Sequence, residues 1–287
     1  MPITLRHRLR PGNVVLSAVV IVLCEVLEAA ILTAVLLALG NHLRRHKQWL
    51  ILAFVFAFVL AALVARYIVP ISDAFDGVGQ ELMNAGSLIL ASSLLLSSAW
   101  MSFTSYCTQT GKYRTPTREV IATLLMILIV ITAVQRETSE VIIYLVGFTV
   151  DSSRSTLVIF GSLTGLMLGV SCGILTYYML IFIPPTRRRL IAASILALIA
   201  AGMMSQSLRY LMQAGMFDGD IPAWNSSTVV SEGSISGQLL FATFGYEATP
   251  TWPQVIAYVA VIVLFFVAYW MSKNRDSDNK GPIAADA

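Results

Sequence analysis

Hydrophobic residues along this chain come in long unbroken runs rather than at the spacing of an amphipathic surface helix. Between Val120 and Val134 every residue is Ile, Leu, Val, Ala, Thr or Met, and the chain is apolar again from Val141 to Phe148. Val14 to Leu39 has the same character. A run of about 18 apolar residues or more marks a helix that crosses a hydrocarbon core about 30 Å thick. The pattern predicts seven spans, at 14–39, 50–70, 85–103, 119–148, 157–183, 190–213 and 253–272. The fourth is too long for a straight crossing and must tilt, kink or project beyond the core. The expected fold is an all-α polytopic membrane protein, one membrane domain over 1–287.

Two spans are interrupted by charge. Cys24-Glu25-Val26-Leu27-Glu28 lies midway along the first, and Gln135-Arg136-Glu137-Thr138-Ser139-Glu140 lies in the fourth. A charged side chain at the bilayer centre costs at least ~2.5–3.5 kcal/mol, so such groups face a protein interior or a water-filled path. Glu25 and Glu28 are three apart and share a helix face, as do Glu137 and Glu140.

Composition excludes a soluble domain: 57% of residues are hydrophobic and 12% charged. The net charge of +3 is no nucleic-acid signal, because the basic residues lie in short loops. They set orientation instead. One side holds Arg44, Arg45, Lys47, Lys112, Arg114, Arg118, Arg187, Arg188, Arg189, Lys273, Arg275 and Lys280, which makes twelve. The other holds Arg6, Arg8, Arg10 and Arg154, which makes four. The N-terminus is therefore expected outside and the C-terminus, with the tail 273–287, in the cytoplasm. The start mimics a signal peptide, but its apolar run of 26 residues exceeds a secretory h-region, so it reads as a retained helix.

On this orientation the outer loops carry Asp73, Asp76, Glu81, Asp151, Asp218, Asp220, Glu232 and Glu247. An acidic mouth attracts cations; the plain alternative is acid placed in exposed loops for solubility. The outer loop 214–252 contains Trp224, Phe244, Tyr246 and Trp252, aromatic residues that suit segments lying at the interface.

The chain also repeats. Ala53, Ala57, Ala61 and Ala65 recur every four residues in the second span, and Gly161, Gly165, Gly169 and Gly173 do so in the fifth. The ladders are displaced by 161 − 53 = 108 positions, and the Glu-x-x-Glu pairs by 137 − 25 = 112. Small-residue ladders let helices approach backbone to backbone. The expected organisation is repeat 1 at about 14–103 and repeat 2 at about 119–213, with one further helix. Three spans per unit invert the second copy, an arrangement found in transporters with a polar midplane site.

If the repeats pack about a pseudo-two-fold axis, Glu25, Glu28, Glu137 and Glu140 converge as candidate metal ligands. An all-oxygen, highly charged site suits hard cations. Without a cation, four such groups in a low-dielectric site must share protons or counter-charge, which makes proton-linked transport natural. Arg136 is expected to offset part of that charge or to gate the metal. The alternative is that the glutamates only brace the bundle through Arg136, Arg209, Gln135, Gln206 or Ser139. A di-iron carboxylate enzyme would use Glu-x-x-His motifs, and His7, His42 and His46 all lie outside the spans. Cys24, Cys107 and Cys172 form neither a disulfide framework nor a Cys-x-x-Cys site. Nor does the chain contain a phosphate-binding Gly-x-x-x-x-Gly-Lys-Ser/Thr loop.

With these motifs the chain resembles the oxidase-dependent iron permease family, which includes fungal high-affinity and bacterial Efe-type iron-uptake permeases. That family carries two Arg-Glu-x-x-Glu motifs, in the first and fourth of seven helices. Arg136-Glu137-Thr138-Ser139-Glu140 matches the second, and Glu25-Val26-Leu27-Glu28-Ala29-Ala30 matches the acidic positions of the first. Gly77-Val78-Gly79-Gln80-Glu81-Leu82 and Phe244-Gly245-Tyr246 through Pro250 to Tyr258 extend the likeness. Cys24 departs from it, standing where the first motif has arginine, so a positive charge is lost and a soft ligand is offered. The resemblance implies iron import across the cytoplasmic membrane, with iron as transported substrate and no permanently bound cofactor. It also implies an outer-face partner that oxidises or delivers iron, and no enzymatic activity of the chain itself. On that reading Arg136 and Cys24 support or gate the four ligands, and Glu81 is an outer-mouth candidate. Carriage of manganese or lead, or a non-transporting membrane subunit, are the alternatives.

Overall fold

The structure is a computed structural model and describes residues 11–39, 48–106, 116–149, 155–219 and 221–278. All regular elements among the described residues are helices: α1 Pro11–Leu39, α2 Gln48–Ala74, α3 Gly79–Tyr106, α4 Pro116–Thr149, α5 Ser155–Phe182, α6 Pro185–Gln213, α7 Ile235–Phe244 and α8 Trp252–Asp278. Seven are long and apolar enough to cross a membrane, and the short α7 is not. At 34 residues α4 is about 51 Å long at 1.5 Å per residue. It outruns a core of about 30 Å, as expected.

Several ends differ from expectation. α2 passes through Pro70 to Ala74 rather than stopping at residue 70. A proline removes one backbone hydrogen bond, and here it falls only one turn before the helix end. Ser72 Oγ then donates to the Gly77 carbonyl at 2.8 Å, and Asp76 and Gly77, with φ of 53° and 89°, turn the chain into α3. α3 starts at Gly79, six residues before the expected position, because Glu81 in its first turn is compatible with the positive end of a helix dipole. α8 continues to Asp278, so the tail is helical for its first residues. Arg6, Arg8, Arg10, Arg44, Arg45, Lys47, Lys112, Arg114, Asp151, Arg154, Asp220 and Lys280 lie outside the described residues.

Within the loop 214–252, α7 is set by local chemistry. Ser234 caps its start by accepting from the Gly237 amide at 3.0 Å, and Gly245 ends it in the left-handed conformation at φ 67°. Gly202 of α6 approaches Gly245 backbone to backbone, and this docks the loop on the bundle.

Packing of the spans follows an exchange pattern. α1 packs chiefly on α5, and α2 on α4; exchanging α1–α3 with α4–α6 converts one pair into the other. α3 against α6 and α1 against α4 map onto themselves. Ser92 Oγ of α3 donates to the Ala200 carbonyl of α6 at 2.9 Å, across 108 positions, the same displacement that relates the two ladders.

The ladders make the close approaches. A Cβ added at Gly161, Gly165, Gly169 or Gly173 would lie 2.5–2.8 Å from atoms of α1, among them the Val15 and Val19 carbonyl oxygens and the Val26 and Ala30 side chains. α1 therefore lies against the α5 backbone along the stretch that bears Glu25 and Glu28. Ala53, Ala57 and Ala61 of α2 are likewise buried, with exposures of 3%, 0% and 0%, whereas Ala65 is only half-buried. The outward faces of α2, α5 and α8 carry apolar side chains such as Leu52, Phe56, Phe160, Met167, Phe266 and Trp270, the surface a lipid environment requires.

Gly165→Val is expected to destabilise the bundle by about 1–3 kcal/mol through overpacking against α1. Gly86→Ala, where nothing lies within 4 Å of the added Cβ, should be neutral or slightly stabilising. Thermal unfolding of both variants in detergent checks the contrast.

Candidate metal-permeation site

Glu25 lies 11 residues from the start of the first span, Val14–Leu39, about 16 Å along the helix. That places the α1 pair near mid-span. α1 and α4 touch along this stretch, and the facing side chains meet at Arg136.

Arg136 is the hub. It is buried, at 4% exposure, and so are Glu28 at 6% and Glu137 at 3%. Its Nη1 donates to Glu140 Oε1 at 3.0 Å. Its Nε lies 3.2 Å from Glu137 Oε1, and its Nη2 lies 3.6 Å from Glu28 Oε2. The Glu137 contact is a charge contact only, because neither Glu137 oxygen nor Arg136 Nε has a hydrogen-bond partner among the described residues. Ser139 Oγ donates back to the Arg136 carbonyl at 2.7 Å, so it braces its own helix turn rather than a glutamate.

Beside this hub, carboxylate oxygens of Glu25, Glu137 and Glu140 lie within 4.8 Å of one another. The structure thus brings three of the four expected glutamates into one oxygen cluster and draws Glu28 toward Arg136. One guanidinium faces four carboxylates. The acidic excess needs protons or a cation, since isolated buried charge is heavily penalised. The arrangement can present hard oxygen ligands to a cation at mid-span.

Cys24 is half-buried on α1 with a free thiol, and its sulfur does not join the oxygen cluster. Glu81 sits in the first turn of α3, outside the cluster. Its Oε2 is buried without a hydrogen-bond partner among the described residues.

These helices match the model of the iron permease FTR1 family over residues 15–274. The chain belongs to that family. No curated protein and no solved structure matches it. Family membership and seven apolar spans make this a multi-pass membrane protein of the iron permeases. The match covers both Glu-x-x-Glu segments, α1 through most of α8, and the loop that holds α7.

That loop contains the part of this permease that sequence reasoning misplaced. Glu247, grouped above with exposed loop acids, is 8% exposed. Arg209 Nη1 lies 3.5 Å from its Oε1, and Gln254 Nε2 donates to its Oε2 at 2.6 Å. Burial pushes the Glu247 carboxyl above the usual carboxylate range, while Arg209 and the Gln254 hydrogen bond pull it back. Arg209 therefore pairs with the loop and not with a Glu-x-x-Glu motif, although its charge reaches Glu140 through space. The available signal was Arg209 itself, an ionisable residue inside a span that demands a partner.

Replacing Arg136 by Gln leaves buried carboxylates uncompensated and should cost about 3–5 kcal/mol of stability. Thermal unfolding in detergent measures the loss, and added Mn²⁺ should restore part of it by supplying the missing positive charge.

Proposed function

We propose that this permease imports iron ions across the cytoplasmic membrane along a path lined by Glu25, Glu28, Glu137 and Glu140. The observation that carries the reading is the cluster of Glu25, Glu137 and Glu140 oxygens within 4.8 Å of one another, in a family of iron permeases. Iron is a hard cation in its ferric form and borderline in its ferrous form, and carboxylates are suitable ligands for both.

In this reading the metal enters the acidic cluster and competes with Arg136 for its carboxylates. Glu28 holds the guanidinium aside, and protons released from the carboxylates compensate the arriving charge. Cys24 removes one arginine relative to the family motif. That leaves Arg136 as the sole guanidinium of the two motifs and lowers the internal positive charge that iron must displace. The 3 + 3 repeat is supported by the exchange pattern of the packing. The Lys and Arg distribution supports an external N-terminus and a cytoplasmic C-terminus. An outer-face protein that oxidises or delivers iron would feed the acidic outer loops, with Glu81 as an outer-mouth contact.

One observation favours a second reading. Arg136 pairs with Glu28, Glu137 and Glu140, which is how a non-transporting subunit would brace its bundle. Uptake of radioactive iron into proteoliposomes separates the two, with ferrous and ferric iron tested separately and excess Mn²⁺ or Pb²⁺ as competitors. The permease reading predicts saturable entry that survives competition and is abolished in Glu137→Gln/Glu140→Gln while the folded protein remains. Loss of folded protein with transport per molecule preserved would support bracing. Entry displaced by Mn²⁺ or Pb²⁺ would point to that metal as the cargo.

A further inference from the structure

A cavity of about 400 Å³ opens where the outer loop folds over the end of α6, lined in part by Arg209, Asp218, Glu232, Glu247, Thr251 and Gln254. Its walls hold three carboxylates and one guanidinium. Acidity alone makes no site, but Glu247 adds a separate observation. It is more than nine-tenths buried, and its Oε1 accepts no hydrogen bond from the described residues. The only charge contact recorded for that oxygen is Arg209 Nη1 at 3.5 Å, longer than a good hydrogen bond. Arg209 Nε also lacks a hydrogen-bond acceptor among the described residues. Each group of this pair is held near the other without satisfying it. The guanidinium is kept in place by the Phe241 ring, whose centroid lies 4.8 Å from Cζ. From there its charge reaches Glu140 in the inner cluster.

We infer that this cavity is an entry site for a hydrated di- or trivalent cation, which docks on Glu247 by taking the place Arg209 holds. Size permits it. At about 30 Å³ per water, a cation with roughly six waters needs about 200 Å³, so the cavity admits the ion without stripping it. Hard cations bound by one or two carboxylates and several waters are a common mode. Arg209, once displaced, remains stacked on Phe241, and the cation stands next to the inner cluster. The inference deepens the permease reading and rests on it for direction, but the cavity can be judged by itself.

Mn²⁺ binding to the purified full chain in detergent, read by electron paramagnetic resonance, provides the test. In the Glu137→Gln/Glu140→Gln background the cavity should still hold Mn²⁺, and adding Glu247→Gln should abolish that binding. Glu232→Gln, at an exposed position, should weaken it several-fold and guards against a folding loss in the Glu247 variant. Arg209→Gln should tighten it several-fold, because the competing charge is gone. A pair that merely pins the loop gives weaker or unchanged binding in Arg209→Gln. That result, or Mn²⁺ binding indifferent to Glu247→Gln, or no Mn²⁺ held once the inner pair is neutralised, overturns the entry site. None of these outcomes depends on iron uptake, which alone decides the permease reading.

Discussion

A buried guanidinium surrounded by carboxylates is the constraint on which this fold turns. Arg136 and the glutamates near it cannot face lipid, because hydrocarbon offers them no partner. They therefore require α1 and α4 to meet at mid-span with the charged faces toward each other. The remaining helices satisfy that requirement. α5 and α2 lie behind α1 and α4 through their small-residue ladders, and α3 and α6 close the bundle across the same centre. Removing one partner of such a group is far costlier than the group's net contribution to stability. The cluster is consequently better understood as a functional element that the bundle tolerates than as the source of its stability.

Close packing and function are joined on α1. Its Glu-x-x-Glu face looks toward α4, while its opposite face lies on the glycines of α5. Any side chain larger than hydrogen along that seam would push α1 toward the cluster and alter the spacing of its carboxylates. The glycine ladder thus fixes the metal-facing geometry from behind, although no glycine in it carries polar chemistry.

Much of this was legible in the sequence because it depends on local spacing. Long apolar runs gave the spans, and carboxylates three apart gave a shared face. The Gly161–Gly173 ladder also announced a tight helix contact, but not which helix would fill it. Pairings between distant segments were illegible. Nothing in the spacing separates Glu28, drawn to Arg136, from Glu25, which joins the oxygen cluster. Glu247 reads as a loop acid until the loop is seen folded over α6, 38 positions beyond its partner Arg209. α7 left only weak marks, an apolar decapeptide between Ser234 and Gly245, too short to register as a span. Pro70 misled because proline usually closes a helix, and here α2 absorbs it near its end.

The central claim is that Glu25, Glu137 and Glu140 supply the oxygen ligands of the transported ion. X-ray absorption at the iron edge, on purified protein loaded with iron, tests it most directly. The account predicts a first shell of light atoms only, with no sulfur from Cys24, and loss of protein-bound iron from the mid-span site in Glu137→Gln/Glu140→Gln. A sulfur scatterer in the first shell, or an iron environment unchanged by that double substitution, would contradict it.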